Sequence, residues 1–417
     1  GQSGSFYTPR PIVAYMCQEA LAGYLEESAG IPRDLTRAQF DPDSEQRFSP
    51  EQAEAVNHAL DTLTVLDPAV GSGSFLIGMM NEIIWLRKAC WRVLNISPDP
   101  NPPPALVADW KERIIQDTLY GVDLKPEAIE IAQLRLWLAL VVDQTLDQAR
   151  PLPNLDYKLM AGDSLIETIN GEPILNESAA ALLEGAPEGD VHAPVQRNFL
   201  GTAVQEKFAL FDSEKNVQQE RAKLDDLRRR FFRAAPEERR ELREQITAQE
   251  RRIVYAGLHD KTERLMAQVK HWGEKSALNN GILSKGDRAK LEKVSADFAQ
   301  LEALERDLQN PRKPLPFFLY RMHFHEVFAH KGGFDVVIAN PPYVRQEQIK
   351  HLKEALEPAY PEVYAGTADL YVFFYARGLN LARPNGTLIY ITPNKFMRAG
   401  YGKRLRDFLR QQVTLES

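Results

Sequence analysis

The sequence predicts an α/β protein whose parallel sheet is interrupted by a long α-helical insertion. Short apolar strands alternate with helices over the first 165 residues, and this alternation is typical of βαβ units. The alternation then stops, and charged stretches with Leu, Ile and Phe at helical spacing occupy residues 213–310. We therefore expect residues 1–165 and 315–417 to form one α/β domain, and residues 166–314 to form a helical insertion.

Each element has its own local signal. Before the insertion, apolar periodicity and turn residues predict a helix 11–28, a strand 64–66, helices 76–93 and 105–118, a strand 119–122, a helix 126–142 and a strand 157–160. Residues 30–60 are expected as a polar loop that closes with a short helix, and the prolines of 96–104 mark another loop. The insertion is expected as an antiparallel helical hairpin or small bundle that acts as a spacer. After it we expect a strand 334–339, a helix 367–382, a turn at Pro384-Asn385-Gly386, a strand 387–392 and a helix 400–412.

Composition and charge are ordinary for a soluble globular protein. The 417 residues are 44% hydrophobic and 26% charged, and the formal net charge is −7. No apolar run reaches the roughly 18–20 residues that span a membrane, and the N-terminus lacks a secretory signal pattern. The two cysteines, Cys17 and Cys90, exclude a disulfide framework and indicate a reducing, cytoplasmic compartment. Residues 395–410 carry six Lys or Arg against one Asp, and a run of this kind is ordinarily a solvated helix face.

The first motif that carries chemistry is Asp67-Pro-Ala-Val-Gly-Ser-Gly-Ser-Phe75, which follows the first predicted strand. A Gly-rich turn between a strand and a helix lets the backbone approach a ligand closely, or forms only a tight turn. A nicotinamide site needs a third glycine and an acid about 20 residues further on. Here Leu76 holds the third position, and the next acid at a strand end is Asp123, about 50 residues downstream. Because Asp67 suits a cationic amine better than a pyrophosphate, the motif favours S-adenosylmethionine (SAM) over a nicotinamide cofactor.

Two further acids follow predicted strands. Asp123, in Gly-Val-Asp-Leu, can accept hydrogen bonds from both hydroxyls of a ribose, or it can cap the helix that begins at Pro126. Asp163, in Gly-Asp-Ser-Leu, can accept from the exocyclic amine of an adenine, or it can cap a turn. Both residues are therefore candidates for a nucleoside-binding site.

The most specific motif is Asn340-Pro341-Pro342-Tyr343, directly after a buried apolar strand. Two consecutive prolines stiffen the loop, because their φ is fixed and neither has a backbone N–H. The Asn340 amide oxygen and the Pro341 carbonyl can both accept from one NH2 group, and Tyr343 offers a face for stacking. Two rigid acceptors favour a more tetrahedral nitrogen with its lone pair directed at an electrophile. The motif therefore predicts activation of an amine that is conjugated to a ring.

The chain resembles the gamma class of N6-adenine DNA methyltransferases, in which these motifs occur in the same order: Phe-Tyr-Thr-Pro (6–9), 67–75, 121–124, 162–165, 340–343 and Asp-Leu-Tyr-Val-Phe-Phe-Tyr (369–375). The resemblance covers both α/β segments and not the insertion. It implies a class I, Rossmann-like, SAM-dependent methyltransferase sheet in a cytoplasmic prokaryotic enzyme. It also implies an adenine-specific reaction, in which a methyl group passes from SAM to N6 of an adenine flipped out of double-stranded DNA.

The resemblance implies a role for each matching residue. SAM would be bound by Phe6, Tyr7, Thr8, Asp67, Pro68, Ala69, Gly71, Gly73, Phe75, Asp123, Leu124, Asp163, Ser164, Leu165, Asn340, Pro342 and Phe374. Asp123 would hold the ribose hydroxyls, and Asp163 would accept from the adenine amine. Pro342 and Phe374 would pack on the adenine ring. Asn340 and Pro341 would be catalytic by polarising the target amine, and Tyr343 would stack on the flipped base.

Within this class, the chain resembles type IIG restriction–modification enzymes and BREX-like phage-defence methyltransferases. That resemblance implies a target recognition domain, and possibly a nuclease domain, outside this chain, and no membrane partner. Two alternatives stay open: a SAM-dependent methyltransferase of RNA or of protein glutamine, and a SAM-binding scaffold module without catalysis. The spacing of His323, His325 and His330 is compatible with a metal, but their aromatic neighbours favour ordinary packing, and no metal site is expected.

Overall fold

The computed structural model describes residues 8–95, 99–142, 155–169, 172–174, 219–231, 234–278, 283–310 and 317–414. The chain divides into two compact units. The first unit comprises Gly1–Glu167 and Phe317–Ser417, and the second comprises Thr168–Pro316. Among the helices in the described ranges, none is both long and apolar enough to cross a bilayer.

The first unit is built on a five-stranded parallel sheet. In chain order the strands are β1 (Val65–Asp67), β2 (Leu119–Asp123), β3 (Leu159–Ala161), the short antiparallel pair β4 (Thr168–Ile169) and β5 (Glu172–Pro173) of the second unit, β6 (Phe334–Ala339) and β7 (Ala382–Tyr390). The order across the sheet is β3-β2-β1-β6-β7, so strands are added on one side of β1 before the insertion and on the other side after it. This reversal creates a topological switch point between β1 and β6, and open α/β sheets bind ligands at the carboxyl ends of strands at such a point. The predicted Rossmann-like sheet is confirmed.

The helices fall into three groups along the chain. The first group is α1 (Arg10–Ala29), α2 (Arg33–Phe40), α3 (Pro50–Thr62), α4 (Ser74–Leu94), α5 (Pro104–Arg113) and α6 (Pro126–Val141). The second unit contains α7 (219–231), α8 (Pro236–Leu278) and α9 (Lys285–Gln309). The last group is α10 (Tyr320–His323), α11 (His325–Lys331), α12 (Lys353–Ala359), α13 (Tyr371–Leu381) and α14 (Lys403–Gln412). The helix α2 lies where the sequence predicted a loop, and the Arg37–Glu19 ion pair at 2.7 Å attaches it to α1.

Two hydrophobic clusters cover the two faces of the sheet. Val336 and Ile338 of β6 belong to one cluster, together with residues of α1, α3 and α4, whereas Val337 belongs to the other. This alternation is the two-residue period of a strand that is buried on both faces. The second cluster is rich in aromatic side chains, and His323 stacks on Phe318 beside it, with 4.3 Å between the ring centroids.

Helix α1 packs against α4 at a close approach that a glycine allows. A Cβ built on Gly78 of α4 would lie 2.4 Å from Val13 Cγ1 and 3.3 Å from Cys17 Sγ. Cys17 is a buried free thiol, as is Cys90. Because α1 begins at Arg10, this contact determines where the segment just before the helix lies.

Strand β7 contains a bulge where the sequence predicted a turn. Phe334 pairs with Ala382 and Val336 pairs with Thr387, so residues 383–386 oppose a single residue of β6. Asn385 has a φ of +60°, which supplies the local change of direction. The residues of the predicted turn, Pro384-Asn385-Gly386, therefore lie in a bulge within the strand, and the strand begins at Ala382 rather than at residue 387.

The second unit contains an antiparallel pair of long helices. Arg251 of α8 donates to the carbonyl oxygen of Asp307 near the end of α9 at 3.1 Å, while Lys275 pairs with Asp287 near its start at 3.0 Å. Helix α7 joins them through the buried Arg228–Glu250 ion pair at 2.9 Å. The role of this unit as a spacer stays a prediction.

Candidate active site

The carboxyl ends of four strands meet at one edge of the sheet, beside the switch point. Asp67 ends β1, Asp123 ends β2, Asp163 follows β3 and Asn340 follows β6. Asp67 lies opposite Gly121 in the register of β1 and β2. The parallel topology therefore brings together four predicted site residues that are far apart in the sequence.

The Gly-rich turn after β1 has backbone geometry that favours glycine. Gly71 and Gly73 have φ values of +50° and +78°. A Cβ on Gly73 would also lie 3.1 Å from the Cβ of Ala132 in α6. The Gly71 N–H donates to Asp123 Oδ2 at 2.9 Å and so ties this turn to the end of β2. The result is a turn with little side-chain bulk next to a carboxylate, which a ligand can approach closely.

Asp67 is a buried carboxylate with a strongly raised pKa. It is 1% exposed, and its Oδ1 accepts from the Ala69 N–H at 3.0 Å. Burial raises the pKa of Asp67 to about 8; the Ala69 hydrogen bond opposes this shift, and the charge of Asp123 adds to it. No cationic side chain among the described residues offsets the burial. The position therefore suits a ligand that brings its own positive charge.

Asp123 is held by backbone N–H groups on both carboxylate oxygens. Its Oδ2 accepts from Gly71, and its Oδ1 accepts from the Lys125 N–H, both at 2.9 Å. The N-cap residue of α6 is Lys125, so Asp123 closes the turn before the helix and is not its cap. A carboxylate can accept about four hydrogen bonds, so Asp123 keeps acceptor capacity for hydroxyl donors. The neighbouring Leu124 side chain is 69% exposed.

The loop after β3 is fastened to the Gly-rich turn. Ser164 Oγ donates to the Pro68 carbonyl at 2.6 Å, and Asp163 Oδ1 accepts from the Leu165 N–H at 2.9 Å. Burial raises the pKa of Asp163, while backbone hydrogen bonds and the charge of Arg377 act in the opposite direction. The two strand-end loops therefore form one connected wall of the site.

Arg377 of α13 supports this loop from the side of the core, although its role was not predicted from the sequence. Its Nε donates to the Ser164 carbonyl at 2.9 Å, and its Nη2 lies 2.7 Å from Glu167 Oε1. The guanidinium also lies 4.7 Å from the ring centroid of Tyr320, whose hydroxyl donates to Ser164 Oγ at 3.0 Å. A signal was present, because Arg377 is the one charged residue in the apolar stretch of α13, and buried charges are normally paired.

Arg135 of α6 is a second residue whose role at the site was not predicted from the sequence. Its Nη1 donates to the Ser72 carbonyl at 2.7 Å and to Ser72 Oγ at 2.8 Å. The tip of the Gly-rich turn is thereby attached to the helix that follows β2.

Asn340 is oriented by Thr8. The Asn340 Nδ2 donates to Thr8 Oγ1 at 3.0 Å, and Thr8 is only 6% exposed. The Asn340 Oδ1 is buried and has no hydrogen-bond partner within the described part of the chain. With its nitrogen engaged, the amide retains an oxygen that can only accept. The structure thus connects the Phe-Tyr-Thr-Pro motif (6–9) with the proline loop (340–343) through Thr8 and Asn340, and it leaves an acceptor for a donor from outside the chain.

The rest of the proline loop is rigid as well. Pro341 is buried, while Pro342 and Tyr343 are half-buried. The Tyr343 hydroxyl donates to the Ile391 carbonyl at 2.9 Å, and its ring lies edge-on to Tyr371 with 6.4 Å between centroids. The ring therefore has a defined position beside Asn340, which a stacking surface requires.

Other predicted cofactor residues lie in the core or outside the described ranges. Phe374 is 5% exposed and belongs to a hydrophobic cluster with Leu165, so core packing explains it and a role toward a cofactor stays a prediction. Phe75 is buried at the start of α4. Phe6 and Tyr7 lie outside the described residues.

Two family matches were found when the chain was compared with known proteins. Residues 117–417, more than half of the chain, match the family described as Eco57I restriction-modification methylase. Residues 44–153 match the family described as MmeI, DNA-methyltransferase domain. The two matches together include every site residue named above except Phe6, Tyr7 and Thr8.

Individual relatives carry the names of type II methyltransferases or of type II restriction enzymes and methyltransferases. The chain is 26% identical to a putative type II restriction enzyme and methyltransferase of Methanocaldococcus jannaschii, RM.MjaORFECS2P, over 99% of this chain and 33% of that protein. It is 44% identical to the type II methyltransferase M.BstVI of Geobacillus stearothermophilus over 18% of this chain and 14% of that protein. It is 33% identical to the type II restriction enzyme and methyltransferase RM.Eco57I of Escherichia coli over 20% of this chain and 8% of that protein. The chain thus spans about a third of the M. jannaschii relative and less of the other two.

Proposed function

The chain belongs to the Eco57I restriction-modification methylase family, and from this premise we propose that it is an adenine-specific DNA methyltransferase. In this proposal a methyl group is transferred from SAM to N6 of an adenine that is flipped out of double-stranded DNA. The site at the carboxyl edge of the sheet supports the proposal, because it combines a place for a cationic nucleoside with an acceptor for an amine.

The observation that carries the proposal is the orientation of Asn340. Its amide nitrogen is engaged by Thr8, so the buried Oδ1 is the atom left to accept a hydrogen bond. Asn340 Oδ1 and the Pro341 carbonyl would accept the two hydrogens of the adenine N6 amine. They would stabilise the positive charge that develops on this nitrogen and hold its lone pair outward. Because both acceptors are on a rigid loop, little reorganisation is needed when the charge develops.

The residues at the other strand ends fit SAM. When bound, SAM supplies an electrophilic methyl group attached to a sulfonium centre. The buried Asp67 would bind its amine, and Asp123 would accept from the ribose hydroxyls. Asp163 would accept from the adenine amine, with Pro342 and Phe374 against the ring. The positive φ of Gly71 and Gly73 supports the fit, because it keeps side chains away from the place where a nucleoside must approach.

The alternatives differ in substrate or in the absence of chemistry. Methyl transfer to RNA or to a protein glutamine would use the same pair of acceptors, but the family match favours DNA. The name of the M. jannaschii relative includes restriction as well as methylation, so a nuclease and a target recognition domain elsewhere in the whole protein are part of the proposal. Acting on DNA, the protein would work in the prokaryotic cytoplasm.

Replacement of Asn340 tests the proposal against a SAM-binding scaffold. Asn340→Ala is expected to lower kcat for N6-adenine methylation of DNA by about 100-fold or more, since it removes one preorganised partner of the transition-state charge. The affinity for SAM, measured by calorimetric titration, should change only a few-fold. A fully active Asn340→Ala protein would remove the proposed role of this residue. A wild-type protein that binds SAM but leaves DNA, RNA and glutamine-containing peptides unmethylated would favour the scaffold.

A further inference from the structure

An exposed basic face extends from the rim of the candidate active site. We define it as Lys395, Arg398, Lys403, Arg404 and Arg410, all of which are exposed, on the segment between β7 and the end of α14. Residues 395–410 carry six basic residues and one acidic residue, a net charge of +5, whereas the whole chain carries −7. The rest of the chain therefore carries −12, so this face is opposite in sign to the net charge of the remaining residues.

The orientation of α14 is determined by its packing. Leu405 and Leu409 are buried, and Arg406 Nη1 donates to the Phe396 carbonyl at 2.6 Å. These contacts attach one side of the helix to the turn that follows β7. The other side, which carries the basic face, is directed to solvent.

Most of the charge on this face is not neutralised. Within the described part of the chain, no carboxylate lies within salt-bridge distance of Lys395, Arg398 or Lys403. Arg410 lies 3.8 Å from Asp407, which is a weak, solvent-exposed pair. Cations of this kind can neutralise the phosphates of a nucleic acid and release the counterions condensed on them.

A row of aromatic side chains connects the basic face to the proline loop. Tyr343 lies edge-on to Tyr371, and the Tyr371 hydroxyl shares a 2.9 Å hydrogen bond with the hydroxyl of Tyr401. Tyr401 lies between Arg398 and Lys403 in the sequence. The face therefore begins two side chains away from the residue expected to stack on the target base.

We propose that the basic face binds the phosphate backbone of the DNA strand beside the flipped adenine. The proposal rests on the proposed function and adds the surface that the substrate uses. A chain with a net charge of −7 repels DNA on average, so its positive charge must be concentrated where the backbone is held. Contacts to phosphates position a strand without reading its sequence, so this face contributes affinity and orientation but not the choice of target site.

The test is the salt dependence of DNA binding, measured on the whole protein with a fluorescently labelled duplex. The double variant Arg398→Gln with Lys403→Gln removes two unneutralised cations of the face. The slope of log K against log salt is negative, and each lost phosphate contact reduces its magnitude by about 0.9. A reduction of about two is therefore expected, together with an affinity loss of about tenfold or more at fixed salt. The matched control is Arg92→Gln with Arg113→Gln, which removes the same charge from exposed positions at the end of α4 and of α5.

The possible outcomes distinguish a failure of the proposed DNA-binding face from a failure of the proposed function. A smaller slope in the face variant alone supports the proposal. An unchanged slope, or an equal reduction in the control, overturns the proposed role of the basic face. If the wild-type protein methylates DNA in that case, the proposed function is unaffected. If the wild-type protein neither binds DNA at low salt nor methylates it, both the surface and the proposed function fail. SAM binding by each variant, measured in parallel, shows that the fold is retained.

Discussion

Asp67 and Asn340 each bury a polar group that lacks a partner within the described part of the chain. The Asp67 carboxylate accepts from the Ala69 N–H but has no described cation to neutralise it, and Asn340 Oδ1 has no described donor. An unsatisfied buried polar atom costs about 1–3 kcal/mol, so such positions persist where a ligand supplies the missing partner. At the residue scale, the Asp67 carboxylate therefore marks where the cationic cofactor is expected to bind, and Asn340 Oδ1 marks where the amine of the base is expected to bind.

Asp67 should make the free protein less stable as the pH rises. Burial raises the pKa of Asp67 to about 8, from an ordinary value near 3.8. Between these two values the native state keeps a proton that the unfolded chain releases, so stability is full below about pH 4 and falls as the pH rises through about 8. Asp67→Asn removes this dependence. At pH 8 the free energy of unfolding of the variant should exceed that of the wild type by an amount on the order of a few kcal/mol, so the variant should unfold at a higher temperature. It should also bind SAM at least about tenfold more weakly.

The matched control for Asp67→Asn is Asp43→Asn, at an exposed position. This control should follow the wild type at every pH, and it should bind SAM normally. If the melting temperatures of the wild type and of Asp67→Asn change by the same amount between pH 5 and pH 8, the raised pKa of Asp67 is contradicted. Cofactor binding to the wild type below pH 8 should also release a proton, which titration in buffers of different ionisation enthalpy detects.

At the scale of a single element, the position of helix α1 determines where Thr8 lies and how Asn340 is oriented. The helix has no catalytic side chain along its length, yet its packing against α4 places Thr8, and through it the Asn340 amide. The contact is close because Gly78 has no side chain to separate Val13 from the α4 backbone. A shift of α1 would move Thr8 away from Asn340 without altering any residue of the proline loop.

Gly78→Ala should therefore impair both stability and activity. The new Cβ would lie 2.4 Å from Cγ1 of Val13, a stiff, buried side chain, and overpacking of this kind costs about 1–3 kcal/mol. Chemical denaturation and kcat for methylation should both show the loss. Val13→Ala in the same protein should restore much of it, because it removes the clashing methyl groups.

The control for the glycine is Gly273→Ala, in the helix α8, where nothing lies within 4 Å of the added Cβ. There the change should be neutral or stabilising by up to about 1 kcal/mol, since alanine is the better helix former. If both substitutions behave alike, or if Val13→Ala gives no rescue, the close packing is not what positions α1.

On the scale of the whole molecule, Asp335 joins the two α/β segments that flank the insertion. Its Oδ2 accepts from the Thr64 N–H at 2.8 Å and from Thr64 Oγ1 at 2.9 Å. Its Oδ1 accepts from Arg383 Nε at 2.6 Å, and its Oδ2 also accepts from Lys331 Nζ. One buried carboxylate thereby connects the start of β1, the strand β6 and the bulge of β7.

Asp335→Ala should destabilise the first unit by about 3–5 kcal/mol, because it leaves Arg383 and the Thr64 N–H without their acceptor. Urea unfolding followed by tryptophan fluorescence measures this, since four of the five tryptophans belong to that unit: Trp85, Trp91, Trp110 and Trp137. Asp43→Ala, at an exposed position, should shift the midpoint little. A loss below about 1 kcal/mol for Asp335→Ala would show that the segments are joined by packing alone.

The sequence by itself determined the alternation of strands and helices, the strand ends at Asp67 and Asp123, the Gly-rich turn and the proline loop. These features are local, because turn residues, helical periodicity and fixed proline φ angles act within a few residues. Only the tertiary structure decided that Thr8 orients Asn340, that Arg377 holds the loop after β3, and that Pro384–Gly386 form a bulge rather than a turn. Each of these depends on which distant segments pack together. A hydrogen bond between residues at opposite ends of the chain exists only once the sheet, in its order β3-β2-β1-β6-β7, has brought their strands and helices to one edge.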